Sequence, residues 1–185
     1  TPDKLDELLF DDIPFLKVAQ KEHDAFADIL SKNGVEVVYL EDLAAEALSQ
    51  SAEIREKFIK QYINEADIYS EYYQKMIYDF LNGIKDPKEL ILKTMEGVNA
   101  NEIPFKNTHS LSHYVLDSGS MIINPMPNLY FTRDPFACIG NGVSLNKMYS
   151  VTRCRETIYG EYIFEHHPEY AGKVNRFYNR YDAPS

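Results

Sequence analysis

Asn124-Pro125-Met126-Pro127-Asn128-Leu129-Tyr130-Phe131-Thr132-Arg133-Asp134-Pro135 opens the stretch on which the fold turns. An apolar run then leads to Gly140, Asn141-Gly142 follows, and Thr152-Arg153-Cys154-Arg155-Glu156-Thr157 closes it. Leu129 to Thr132, rich in aromatic and β-branched side chains, predicts a short strand. Pro135 has no amide donor, so that strand should stop pairing at Asp134, where a carboxylate is free to face a ligand. Phe136 to Gly140 and Val143 to Met148 flank Asn141-Gly142. This pattern predicts a hairpin with positive φ at both central residues. Arg153 and Arg155 follow, with planar forks suited to carboxylates. One segment thus offers an acid for a cation (Asp134), an amide (Asn128) and an arginine for an anion. A zwitterion with a cationic side chain, such as arginine, satisfies all three.

Toward the C-terminus, Glu156 to Glu165 suits a helix with Tyr159, Tyr162 and Ile163 on one side, ended by His167-Pro168. Val174 to Tyr178 suits a last strand. Toward the N-terminus, Tyr114 to Leu116 and Met121 to Ile123 read as strands around the turn cluster Asp117-Ser118-Gly119-Ser120. Val98 to His113 is polar and reads as a loop. From Asp42 to about Gly97 the pattern is helix after helix. Leu43, Ala47 and Leu48 form one stripe; Ser51 caps a second, with Ile54, Phe58, Tyr62 and Ile63. Tyr73, Met76, Ile77, Phe80 and Leu81 form a third, and Asp86-Pro87-Lys88-Glu89 starts a fourth that stops at Gly97. The tyrosines and methionines at this spacing read as packing.

Val35 to Leu40 predicts a strand. Before it, a helix from about Phe15 to Lys32 should bury Phe15, Val18, Ala19, Phe26, Ala27 and Leu30, closing at Asn33-Gly34. Thr1-Pro2 suits a helix entry, with Leu5, Leu8 and Leu9 on one face. The expected fold class is α/β, residues 1–41 and 110–185, with an all-α helical subdomain and loop inserted at residues 42–109.

A chain of 185 residues, 44% hydrophobic, has material for one domain, or a domain plus a subdomain. A net charge of -10 argues against a nucleic-acid partner, which would need a basic face. No run approaches the roughly 18 apolar residues of a membrane span. Cys138 and Cys154 make no disulfide framework and suit a reducing, cytoplasmic setting. The chain opens at Thr1 without a methionine, so the lack of a visible signal peptide carries little weight.

Pro127 to Phe136, Gly142-Val143-Ser144-Leu145-Asn146 and Thr152 to Thr157 together resemble the arginine deiminase family. Leu8-Leu9-Phe10-Asp11-Asp12-Ile13-Pro14 and Gln20-Lys21-Glu22-His23-Asp24-Ala25-Phe26 resemble it too, in the same order. The resemblance implies a pentein-type, pseudo-fivefold α/β propeller, present here in part, with a helical insertion. It implies hydrolysis of L-arginine to L-citrulline and ammonia through a cysteine thiol, with no metal and no organic cofactor. It also implies that Asp134 clamps the substrate guanidinium, that Arg153 binds the α-carboxylate and that Asn128 touches the same end. The family's nucleophilic cysteine, its histidine and a second clamping glutamate belong to motifs not found here. The chain is therefore expected to be a fragment, inactive alone, and prone to homo-oligomerise through uncovered apolar edges. The rival readings are another guanidino-modifying enzyme, an amidinotransferase or dimethylarginine hydrolase, and a non-catalytic helical protein-binding module.

Each residue also has a plainer reading. Asp134 suits a loop aspartate capping its own turn, Asn128 a turn asparagine after Pro127, and Arg153 an ion pair with Glu156 three residues on. Arg155 lies on a different side and reads as structural. Cys138, in an apolar strand, reads as a small hydrophobe, whereas Cys154 between two arginines should have a lowered pKa. His109 and His113 lack a third ligand for zinc. His166-His167 reads as a polar helix end suited to a cation.

Overall fold

Apolar spacing fixes four successive helices, two of them started by side-chain caps. They are α2 (Leu40–Leu48), α3 (Ala52–Asn64), α4 (Glu71–Gly83) and α5 (Pro87–Glu96), preceded by α1 (Leu16–Lys32). The computed structural model describes Leu8, residues 14–103 and residues 120–182. The Ser51 hydroxyl accepts the Ile54 N–H at 3.1 Å. Asp86 does the same for Glu89 at 2.8 Å, with Pro87 at the first helical position. Each satisfies one of the orphan donors of a helix start.

Gly97 ends α5 at φ 83°, and a Cβ there would lie 2.4 Å from the Ile123 carbonyl oxygen. The helix end can therefore lie against the neighbouring strand only with glycine. Gly97→Ala should lower stability by about 2–3 kcal/mol in urea unfolding. Gly34→Ala, also at positive φ but with open space around it, should cost about 1 kcal/mol. Equal losses would rule out the close-approach account.

The chain continues through β1 (Val98–Asn99), β2 (Met121–Ile123), β3 (Phe136–Ile139), β4 (Gly142–Leu145), α6 (Ile158–His166) and β5 (Asn175–Tyr178). β1 and β2 pair antiparallel. β3 and β4 form an antiparallel hairpin, and β5 joins β4 in parallel. The class is mixed helix and sheet. One core cluster joins Phe58, Ile59 and Tyr62 of α3, Ile77 and Leu81 of α4, Leu90 and Ile91 of α5, and Ile158, Tyr159 and Tyr162 of α6. Phe58 meets Tyr162 edge-on at 5.1 Å and Tyr159 at 6.1 Å, so α6 packs into the helical block.

Four expectations are corrected. Val35 to Leu40 is not a strand: Leu40 starts α2, and none of the described strands pairs with this stretch. Glu41 and Asp42 fall in the first turn, where acids favour a helix start, and Ala44, Ala47 and Leu48 bury its face. Leu129 to Thr132 is not a strand either. Pro127–Tyr130 is a 3₁₀ turn, extended by Phe131 N–H to Asn128 carbonyl and Asp134 N–H to Phe131 carbonyl bonds. Asp134 consequently lies just before β3 rather than at the end of a strand.

The hairpin turn is displaced by one residue, since Ile139 pairs with Gly142 and the loop is Gly140-Asn141. Only Gly140 has positive φ, 56°, the pattern of a turn with glycine in its first central position. On α1, Ala27 is buried, Ala19 and Leu30 are half-buried, and Phe15, Val18 and Phe26 are exposed. The period gives one apolar face, but the described residues leave most of it uncovered. The helix expected near Leu5 and Leu9, the strand at Tyr114 to Leu116, and His109 and His113 lie outside the described residues.

Candidate functional site

Pro127 sets the 3₁₀ turn that carries Asn128. The side-chain amide of Asn128 is buried and donates to the Leu8 carbonyl at 2.9 Å. Asp134 sits in the next turn. Its backbone carbonyl accepts from Asn146 Nδ2 at 2.8 Å, and the Asn146 N–H bonds the Pro135 carbonyl at 3.0 Å. Asn146, just after β4, thereby pins the Asp134-Pro135 corner to the hairpin.

Arg153 rises from a second 3₁₀ turn, Val151–Thr157, which leads straight into α6. Its Nη1 donates to Asp134 Oδ2 at 2.9 Å. Its Nε lies 3.0 Å from both Glu156 oxygens, and Nη2 donates to Glu156 Oε2 at 2.8 Å. Nη2 also reaches the Asn128 backbone carbonyl at 3.4 Å, and the guanidinium carbon lies 5.8 Å from the centre of the Phe131 ring. Glu156 is 1% exposed, Arg153 15% and Asp134 42%. Glu156 behind is buried, Arg153 is half-buried and the carboxylate in front is partly open to solvent.

Hydrogen bonds donated to Glu156, and then to Asp134, hold the Arg153 pKa above its ordinary value against burial. Burial pushes the Glu156 carboxyl up, while its bonds to Arg153 pull the other way. Arg153 is thus a permanent cation set by a buried acid.

The three residues singled out from the sequence, Asn128, Asp134 and Arg153, meet in one place. Asp134 and Arg153 touch directly, and Asn128 meets Arg153 through its backbone carbonyl, its side chain being committed to Leu8. Arg155 points elsewhere. It is buried, donates to the Asn124 carbonyl at 2.7 Å and lies 5.5 Å from the Tyr62 ring centre.

The cysteines and histidines depart from expectation. Cys138 is exposed on the hairpin rather than buried. The Cys154 thiol is pushed up by burial, not lowered. It hydrogen-bonds the Ser150 carbonyl at 3.3 Å, and the arginine acting on it is Arg180 rather than its two neighbours, whose forks are engaged elsewhere. His167 is not a solvated helix end: it is 3% exposed, with Nε2 3.0 Å from Glu46 Oε2 of α2. Burial lowers the His166 pKa, which works against the cation expected there.

Sequence reasoning missed a second polar cluster. Arg180 is buried and donates to Glu65 at 2.8 Å, to Glu161 at 3.0 Å and to the Cys154 carbonyl at 2.9 Å. Gln61 Nε2 lies 3.0 Å from each of the same two acids. No spacing signal could have revealed it, because Glu65 and Arg180 are 115 residues apart. Among the described residues, no group of three or more His, Cys, Asp or Glu is placed to hold a metal ion, and no helix is long and apolar enough to cross a membrane.

Chemically, the arrangement is a partly exposed carboxylate paired with an arginine that a buried acid buttresses, with the exposed Tyr130 and Phe131 rings alongside. A family model described as "Arginine deiminase" matches residues 6–185. A curated protein named "Arginine deiminase" from Treponema denticola is 97% identical over 185 residues, all of this chain and 45% of that protein. One of the same name from Streptococcus agalactiae is 59% identical over 181 residues, 97% of this chain and 44% of its own length. A third, from Streptococcus pneumoniae, is 55% identical over 181 residues, again 44% of its length. The chain thus spans less than half the length of the curated relatives it matches.

Proposed function

The chain belongs to the arginine deiminase family, and from that premise we propose that it supplies the substrate-gripping part of a hydrolase that converts L-arginine to L-citrulline and ammonia. The observation that carries this is the contact of a partly exposed carboxylate, Asp134, with an arginine, Arg153, that a buried acid holds from behind. Asp134 offers two oxygens to the planar guanidinium in charge-assisted bonds. Arg153 takes the α-carboxylate at the other end, with Asn128 fixed beside it. Held at both ends, the guanidinium carbon is presented to a thiolate. The thiolate adds to that carbon, the C–N bond breaks and ammonia leaves with a proton. Water then adds, the C–S bond breaks and citrulline is released. The thiol, the acid–base histidine and a second clamping acid are assigned to the part of the family pattern that this chain does not span. No cofactor enters the scheme.

The same reading places the chain in a pentein-type propeller. Residues 1–41 and 110–185 form its partial α/β portion, and residues 42–109 a helical insertion. The run of helices α2 to α5 between α1 and the strands supports it. Two unbridged cysteines support a cytoplasmic setting. The uncovered apolar face of α1 supports self-association in a homo-oligomer.

The test is citrulline release by the full-length Treponema denticola relative, comparing L-arginine with agmatine, which keeps the guanidinium and lacks the carboxylate. Agmatine should show a kcat/KM at least about 30-fold lower, the worth of one charged hydrogen-bond partner. Equal values would remove Arg153 from carboxylate binding. Failure to convert arginine at all would end the functional reading.

A further inference from the structure

We propose that Asn146 is a positioning residue for the reaction, fixing the turn that carries Asp134 against the turn that carries Arg153. This rests on the functional reading above and adds what holds the two at a constant separation.

Asn146 commits its backbone and its side chain to this junction. Its N–H donates to the Pro135 carbonyl at 3.0 Å, and its side-chain Nδ2 donates to the Asp134 carbonyl at 2.8 Å. Nδ2 also lies 3.4 Å from the Arg133 carbonyl oxygen. On the other side, the Asn146 carbonyl accepts from the Thr157 hydroxyl at 3.1 Å. Thr157 is fully buried, directly follows Glu156 and closes the 3₁₀ turn that carries Arg153. One residue thus bonds consecutive carbonyls of the acid's turn and the last residue of the arginine's turn. The amide is also oriented. Ser144 Oγ donates to Asn146 Oδ1 at 3.0 Å, which leaves Nδ2 to face the two carbonyls. A rotated amide would set its oxygen against both. Ser144 stands on β4 between Val143 and Leu145, each fully buried, so the support is rigid.

The chemistry needs such a strut. A substrate held at both ends presents its guanidinium carbon at an angle set by the distance between the two grips. Asp134 lies in a turn just before β3, and Arg153 in a 3₁₀ turn just before α6, so neither is built into a strand or a long helix. Glu156 orients the Arg153 fork from behind but does not reach the Asp134 turn through its own bonds to Arg153. Asn146 joins the two backbones, whose positions persist whatever bonds the side chains make to a ligand. It acts through Asp134 and Arg153.

The test is steady-state citrulline release by the full-length Treponema denticola relative, with variants matching Asn146→Ala, Asp134→Ala and the two combined. Asn146→Ala removes the side-chain bonds and leaves the backbone ones. It should lower kcat/KM for L-arginine about 30-fold, mostly in kcat, as a small displacement of the reacting carbon does. On the Asp134→Ala background the same change should cost less than about threefold, because the group it positions is gone. Loss of the full factor on both backgrounds is the mark of a residue that only stabilises the fold, and would overturn the proposal. A single variant within about threefold of wild type would overturn it too. Ser144→Ala gives a second measure, should Asn146→Ala not fold. It frees the amide to rotate and should lower kcat about threefold, the worth of one hydrogen bond, with the melting temperature unchanged. Wild-type kcat in that variant would overturn the proposal equally. A wild type that converts arginine while the variants fail these comparisons rejects only the positioning role, whereas one that does not convert it rejects the functional reading beneath.

Discussion

Asp134→Asn, placed at the matching position of the full-length relative, should cut kcat/KM for L-arginine by about 10³-fold, with the fold intact. The asparagine keeps size and one acceptor oxygen but loses the charge that makes paired bonds to a guanidinium strong. A loss of about 4 kcal/mol in transition-state stabilisation corresponds to that factor. The effect should fall on kcat as much as on KM, because the clamp sets the angle at which the thiolate meets the carbon. Stability should change little. The Asp134 side chain is partly open to solvent, and Arg153 keeps all its bonds to Glu156. Steady-state citrulline assays beside thermal melts make the check. A loss below tenfold in a folded variant would mean that Asp134 only closes its turn.

Arg180→Ala should destabilise the protein by about 3–5 kcal/mol, the cost of leaving buried charge without its partner. Burial works against the Arg180 charge, and Glu65 and Glu161 more than restore it. Without the guanidinium, the two carboxylates would remain side by side, bridged by Gln61, with side chains only 18% and 12% exposed. The Cys154 carbonyl would lose its donor, and the Tyr181 ring the cation 4.7 Å from its centre. Arg180→Lys should recover less than half the loss, since one ammonium cannot reproduce a planar fork serving three acceptors. Urea unfolding measures both. A loss under 1 kcal/mol for the alanine variant would reduce the cluster to a surface ion pair.

What the sequence disclosed followed from how local the signal was. α5 was legible at both ends because Asp86-Pro87 and Gly97 act within a turn of where they stand. α6 and β5 came from apolar spacing and β-branched or aromatic content in the same way. The hairpin was seen, but its turn slipped by one residue because Gly140 offered an alternative solution next to Asn141-Gly142. Val35 to Leu40 looked extended on composition, yet a strand depends on a neighbour that no local signal supplies. The apolar stripe of α1 was real, but a stripe does not say what lies over it.

At the candidate site, Glu156 was within reach as the third residue after Arg153. The meeting of Asn128, Asp134 and Arg153 came from resemblance, since spacing alone gives an equally good account of a turn and an ion pair. Arg180, Glu65 and Glu161 stayed hidden because isolated charges in polar stretches look solvated until distant parts of the chain bring them together.

The packing of α6 onto α3 has a consequence for how the chain is made. Tyr162 reaches back to Gln61 across 101 residues. At about 5–20 residues per second, a ribosome delivers α6 roughly 5–20 seconds after α3. For that interval the aromatic ridge of Phe58 and Tyr62 has left the exit tunnel without its cover. The nascent helices are then a natural target for chaperones that bind exposed aromatic surface.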